Sequence, residues 1–212
     1  EKYSVRIVDH FDIIAGTSTG GLIAIALGLG KAPREIVHFY VNQRRAIFGS
    51  LCGWRSLLQW VLRKYPQHRL QASFTVVLGD KKLGDSSKRL VIPSYNISQD
   101  KVRVFKTPHH ERLRTDWQIP AWEVALATSA APTYFPACCT VGSMRLVDGG
   151  VWANNPSVVA IAEAISMLGA RLDQVHVLSL GTTDTRKHRT TLLNSGGILQ
   201  WVLKKDVIEV LM

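Results

Sequence analysis

The sequence predicts an α/β fold, a three-layer sandwich in which a mostly parallel central sheet is flanked by helices. Two short apolar runs that end in a glycine turn, His10–Ala15 and Val175–Leu180, are typical of buried parallel strands. The segments between them show the apolar spacing of helices. Because strands alternate with helices along the chain, the pattern is that of a layered α/β sheet.

The composition sets bounds on the class of protein. The chain has 212 residues, of which 46% are hydrophobic, and we interpret 1–212 as a single domain. An ordinary apolar content and the lack of low-complexity tracts exclude a mainly disordered protein. The longest uncharged apolar stretch, Gly20–Gly30, is too short to cross a bilayer, which takes about 20 residues. The chain begins with Glu1 and stops within an apolar helical pattern at Met212, so we expect both ends to be truncated.

The first half of the chain is predicted to be mainly helical after its first strand. The helices are Gly20–Leu29, then Arg34–Phe48 after Pro33, then Trp54–Tyr65, whose apolar residues share one face. Leu70–Leu78 is ambiguous, because its β-branched end favours a strand and its context favours a helix.

The second half is predicted to mix strands and helices. Arg89–Ile97 and Lys101–Thr107 have the composition of strands and are close enough in sequence to form a hairpin. The remaining elements are a helix at Pro120–Ser129, a strand at Met144–Val147, a helix capped by Asn155 with Pro156 as its first residue and ending near Leu168, and a last helix at Gly197–Leu211.

The charge is strongly basic and is concentrated in one region. The formal net charge is +10, and most of it lies in residues 54–115. This region is either a solvated basic face or a surface that meets anionic lipid. The Trp54–Tyr65 helix can bind a membrane interface or pack on the core, and packing is the commoner outcome for such faces. No phosphate-binding loop is present, and we expect no nucleic acid as a partner.

The cysteines indicate a reducing compartment. There are three, Cys52, Cys138 and Cys139, an odd number with two adjacent. This pattern is neither a disulfide framework nor a metal site, so we expect a cytoplasmic protein with small buried cysteines. A peripheral position at a membrane stays open as an alternative.

A candidate nucleophile follows the first strand. Gly16-Thr17-Ser18-Thr19-Gly20 fits the G-x-S-x-G pattern, in which a serine is exposed on a strained turn between a strand and a helix. Gly16 and Gly20 are expected to let the backbone approach closely, and the Thr19 amide to help hold an oxyanion. The alternative is a glycine-rich turn between two buried elements.

Asp148 is the better candidate for the general base. None of the seven histidines follows a strand and precedes a glycine turn, whereas Asp148 lies at a strand end before Gly149 and Gly150. A carboxylate held near a serine can remove its proton. The alternative is a turn aspartate bonded to its own backbone.

Several motifs together resemble the patatin-like phospholipase family. They are Gly16–Gly21 around the serine, Ala127–Pro132 with Phe135-Pro136, Asp148–Gly150 with Asn154, Asn155 and Pro156, and Val177–Thr182. The resemblance implies a lipid acyl hydrolase of the phospholipase A or lysophospholipase type. In it, Ser18 attacks the ester, Asp148 takes the proton, and neither a metal nor a cofactor is required. It also implies a phospholipid or lysophospholipid substrate, and it gives no oligomeric state.

The chain departs from that family ahead of the first strand. The family's glycine-rich segment with an arginine supplies oxyanion donors, and Glu1–His10 contains no glycine. We therefore expect this segment and a C-terminal extension to be missing, with Thr19 as the main donor and Gly149 and Gly150 as weaker candidates. Two alternative functions stay open: a non-catalytic lipid-binding or regulatory module, and a general esterase or thioesterase.

Overall fold

The computed structural model of the chain describes residues 6–48 and 66–181. The backbone divides into two compact units, Glu1–Val175 and His176–Met212. In the described ranges, no helix is both long and apolar enough to cross a membrane. The predicted helices Trp54–Tyr65 and Gly197–Leu211 lie outside the described residues, as does Cys52.

A mixed sheet of four strands lies at the centre of the first unit. The strands are β1 (Ile13–Ala15), β2 (Arg89–Asn96), β3 (Lys101–Lys106) and β4 (Leu146–Asp148). β1 pairs with β2 in parallel, whereas β3 and β4 both pair with β2 in antiparallel. The α/β class is confirmed, but the described strands are not mostly parallel. β3 runs antiparallel to β2 because the connection between the two strands is too short for a parallel crossover.

One edge of β2 is shared by two strands. β1 pairs with Arg89–Val91, and β4 pairs further along the same strand with Ser94–Asn96. The strand segment between these two pairings contains Pro93. A proline has no N–H to give to a ladder, so it fits a position on this edge that none of the four described strands covers.

Helices cover both faces of the sheet. Side chains alternate along a strand. Leu90 and Ile92 of β2 and Phe105 of β3 therefore lie on one face, in the main hydrophobic core, together with residues of α1 (Thr19–Gly28), α3 (Gln67–Leu78) and α4 (Ala121–Thr128). Lys106, the neighbour of Phe105, meets Glu163 of α6 (Ser157–Leu168) on the opposite face. The expected three layers are therefore present.

The other helices agree with the sequence prediction to within a few residues. α2 spans Pro33–Phe48. The short α5, which spans Gly150–Ala153 between β4 and α6, was not predicted. The ambiguous Leu70–Leu78 segment is helical, because Leu70, Phe74 and Leu78 recur every four residues and are all buried. α6 begins at Ser157, one residue later than expected, and Asn155 Oδ1 accepts the Ser157 N–H at 3.0 Å.

The predicted strand at Val175–Leu180 is wrong. These residues form neither a strand nor a bridge. Val177, Leu178 and Leu180 are exposed rather than buried. An apolar run becomes a strand only when a neighbouring strand takes up its hydrogen bonds, and the sequence pattern contains no information on whether that neighbour is present.

Candidate functional site

Ser18 lies at a sharp turn between β1 and α1. Its backbone has φ 55° and ψ −121°, a conformation that a residue with a side chain rarely adopts. α1 begins at the next residue, Thr19, and the amides in the first turn of a helix have no carbonyl acceptor within that helix. The turn therefore presents a half-buried serine beside backbone N–H groups, as the G-x-S-x-G pattern predicts.

Two of the neighbouring glycines are required by close packing. A Cβ on Gly16 would lie 2.1 Å from the carbonyl oxygen of Gly20, and a Cβ on Gly21 would lie 2.6 Å from Thr128 Cγ2. At Gly20 itself, a Cβ would meet no atom within 4 Å. Gly16 therefore leaves no space for a side chain, as expected, whereas Gly20 does have space for one. The second position without space for a Cβ is Gly21.

Asp148 ends β4 and is fully buried. Its position is fixed by backbone pairing, since Asp148 is the register partner of Ser94 in β2 and its N–H donates to the Ala130 carbonyl at 3.1 Å. The Gly150 N–H donates to Asp148 Oδ1 at 2.7 Å. That bond uses the Gly150 amide, so the structure assigns it to the carboxylate rather than to an oxyanion. Gly149 is needed for packing, because a Cβ there would lie 2.4 Å from the Pro93 carbonyl oxygen.

The environment of Asp148 changes its acidity. Burial raises the pKa of its carboxyl to about 6, and hydrogen bonding from the Ser18 side chain and the Gly150 N–H keeps that pKa from rising further. Among the described residues, Asp148 Oδ2 has no hydrogen-bond partner. The Ser18 hydroxyl is near enough to the carboxyl group to lower its pKa. The predicted pair of residues is brought together.

Thr128 is a site residue that the sequence reasoning did not single out. Its Oγ1 accepts the Ser18 N–H at 3.1 Å and donates to the Pro93 carbonyl oxygen at 2.6 Å. It lies in the Ala127–Pro132 segment, which was the only signal that could have drawn attention to it. The neighbouring Thr17 hydroxyl donates to the Ala153 carbonyl at 2.7 Å and ties the turn to α5.

Among the described histidines, none is hydrogen-bonded to Ser18. His109 is the one with a nearly buried ring, and its Nε2 bonds Glu163 at 2.9 Å while its Nδ1 bonds the Thr107 hydroxyl at 2.9 Å. Across residues 6–48 and 66–181, no three His, Cys, Asp or Glu side chains are grouped so that they could hold a metal.

Several known proteins are similar in sequence to this chain. The family model described as patatin-like phospholipase matches residues 3–161. A cGAMP-activated phospholipase of Escherichia coli (strain TW11681) is 34% identical over 84% of this chain and 52% of its own length. One of the same name from Pseudomonas aeruginosa is 34% identical over 83% and 53%. Patatin-like protein 1 of Oryza sativa subsp. indica is 29% identical over 97% and 58%.

The matched region contains both Ser18 and Asp148. The chain spans about half the length of the curated relatives it matches. A family model that covers most of the chain, together with relatives of this identity, is sufficient to assign it. The chain belongs to the patatin-like phospholipase family.

Proposed function

We propose that this protein is a lipid acyl hydrolase that cleaves carboxylic esters with Ser18 as nucleophile and Asp148 as general base. The observation that carries the proposal is a serine on a strained turn beside a buried carboxylate. Burial raises the pKa of that carboxylate, and the Ser18 side chain partly offsets the increase. A base with a pKa near the working pH exists largely in the form that accepts a proton and can still return it. Asp148, at about 6, meets this requirement.

The reaction would proceed in two balanced steps. Ser18 Oγ attacks the ester carbonyl carbon while its proton passes to Asp148, and the proton then goes to the departing alcohol, which leaves an acyl ester on Ser18. Water next attacks this ester, Asp148 takes the water's proton, and the proton returns to Ser18 Oγ as the fatty acid leaves. In both steps the Thr19 amide at the start of α1 would be a donor to the developing oxyanion.

The substrate we propose is a phospholipid or lysophospholipid. The printed names of the bacterial relatives and of the family support a phospholipid substrate. Exposed basic side chains in the described part of the 54–115 region, among them Lys81, Lys101 and Arg112, support contact with an anionic bilayer. The free Cys138 and Cys139 support a cytoplasmic location.

The test is acyl release from a lysophospholipid and from a short p-nitrophenyl ester. We expect Ser18→Ala and Asp148→Asn to reduce both rates by at least about 10³-fold. Ser98→Ala and Asp173→Asn, at exposed positions, are the matched controls and should leave both rates unchanged. Because the chain spans only part of its relatives, the same variants are to be measured in the full-length protein as well.

Each alternative has its own outcome in this assay. If the short ester is cleaved in a Ser18-dependent way and the lysophospholipid is not cleaved, the protein is a general esterase or thioesterase. Binding to vesicles without any Ser18-dependent release would identify a non-catalytic lipid-binding module. For membrane contact, we expect binding to strengthen with anionic lipid and to weaken as salt is raised.

The relatives also favour a regulated enzyme. Two of them are named cGAMP-activated phospholipases, and we propose that the full-length protein is activated by the same class of cyclic dinucleotide. Added cGAMP should then increase the Ser18-dependent rate. An unchanged rate over a wide range of concentrations would remove this part of the proposal and leave the hydrolase intact.

A further inference from the structure

One short segment after α4 holds the backbones of both proposed catalytic residues. Thr128 Oγ1 accepts the Ser18 N–H at 3.1 Å, and the Ala130 carbonyl accepts the Asp148 N–H at 3.1 Å. Thr128 and Ala130 are only two residues apart, whereas Ser18 lies 110 residues before Thr128. This segment therefore holds in place two parts of the site that are far apart in the sequence.

The orientation of the Thr128 hydroxyl is fully determined. It donates its single hydrogen to the Pro93 carbonyl oxygen at 2.6 Å, so its lone pairs are left for the Ser18 N–H. The Thr128 methyl group contacts the Cα side of Gly21, where a Cβ would be 2.6 Å away. Thr128 is completely buried, so no water can take over the bond if the hydroxyl is removed.

The Ser18 backbone needs such a partner. With φ at 55°, it occupies a region that is sterically unfavourable for serine and persists only when its surroundings over-determine it. A buried N–H without an acceptor is unfavourable in addition. Removing the Thr128 hydroxyl would therefore favour rotation of the turn, which would move Ser18 Oγ relative to Asp148.

We propose that Thr128 is a positioning residue for the Ser18–Asp148 pair, acting through its hydrogen bond to the Ser18 N–H. This inference rests on the proposed hydrolase. Thr128 does not touch the substrate, so its effect should appear in kcat rather than in KM. Misplacement of a reacting group by about 1 Å lowers a rate by about 100-fold.

The test compares Thr128→Val with Thr128→Ser. The valine keeps the shape and loses the hydroxyl, and we expect kcat to fall by about 10- to 100-fold with KM unchanged. The serine keeps the hydroxyl and should restore most of kcat. Thr107→Val is the matched control, because Thr107 is also a buried threonine whose Oγ1 accepts a backbone N–H, that of Leu90 at 2.9 Å. It should leave kcat unchanged.

A second measurement is independent of hydrolysis. Hydrogen exchange at the Ser18 amide should be slow in the unsubstituted protein and in Thr128→Ser, and fast in Thr128→Val. A fast-exchanging Ser18 amide in the unsubstituted protein overturns the proposal even if Thr128→Val does not fold. A folded Thr128→Val protein that retains both its kcat and a slowly exchanging Ser18 amide also overturns the proposal. If the unsubstituted protein shows no Ser18-dependent hydrolysis, the proposed function fails, and the exchange data still decide whether Thr128 holds the turn.

Discussion

Asp148 Oδ1 accepts the N–H of Gly150, two residues further along the chain, at 2.7 Å. This bond anchors one oxygen of the carboxylate and leaves Oδ2 without an ordinary hydrogen-bond partner. The turn-aspartate alternative that the sequence left open is therefore part of the geometry. The bond to the local backbone does not compete with a role as base, because it orients the second oxygen for a proton from outside the turn.

The first prediction concerns the pH dependence of hydrolysis. Burial raises the pKa of Asp148 to about 6, and only the ionised carboxylate accepts a proton from Ser18. We expect kcat/KM to increase about tenfold per pH unit below about 6 and to level off above it. Initial rates with the short ester between pH 4.5 and 8 measure this directly. A profile that stays flat across the whole range would rule out Asp148 as the base.

The second prediction concerns the stability of Asp148→Asn. Well below pH 3.8 the carboxyl is protonated in both the folded and the unfolded protein. As the pH rises from 3.8 to about 6, the unfolded chain ionises first, so the wild-type protein loses free energy of unfolding over that window. We expect Asp148→Asn to be more stable than the wild type at pH 8, by at most about 3 kcal/mol.

Urea unfolding at pH 4 and pH 8 checks that prediction. The quantity to compare is the difference between the two proteins, because other titrating groups affect both equally. The advantage of the asparagine variant should grow between the two pH values. An advantage that shrinks would contradict a raised pKa in the folded protein.

The third prediction is that Gly16 and Gly20 differ in how well they tolerate substitution by alanine. Ala at Gly16 would place its Cβ 2.1 Å from the Gly20 carbonyl oxygen, so Gly16→Ala should reduce the free energy of unfolding by at least about 3 kcal/mol. Gly20 lies in the first turn of α1 with open space around it. Gly20→Ala should therefore be neutral or stabilising by up to about 1 kcal/mol. Denaturant curves of the two variants provide the comparison, and equal destabilisation would refute it.

The fourth prediction concerns Glu163, the buried carboxylate of α6. Glu163 is almost fully buried and bonds both Lys106 and His109. Glu163→Gln removes the negative charge that both partners face, and we expect a loss of about 3 kcal/mol. The control is Asp173→Asn, which breaks an exposed pair with Arg171 and should not change the unfolding curve measurably. Similar curves for the two variants would contradict the role assigned to Glu163.

Local features of the fold were predictable from the sequence. The hairpin of β2 and β3 followed from two β-rich runs separated by three residues, and the helix after Ser18 followed from its apolar composition. Non-local pairing was not predictable. That β4 returns antiparallel to β2, and that Pro93 lies at an uncovered point of the edge, depends on contacts between distant segments.

The same division applies to the site. The turn at Ser18 has a local signature in its glycines, and Asp148 has one in the two glycines after it. Thr128 has none, because its bond to the Ser18 N–H joins residues 110 positions apart. Even within the motif, the sequence did not distinguish the crowded Gly16 from the uncrowded Gly20, since their surroundings come from the folded chain.

The long separation between the parts of the site has a consequence for synthesis of the protein in the cell. A ribosome makes the Ser18 turn well before Thr128 and Asp148 emerge, and the contact between Thr17 and Ala153 spans 136 residues. A growing chain therefore contains Ser18 before it contains the base Asp148 or the positioning residue Thr128. On the proposed chemistry, the nascent polypeptide is unable to attack cellular lipids until translation has passed β4.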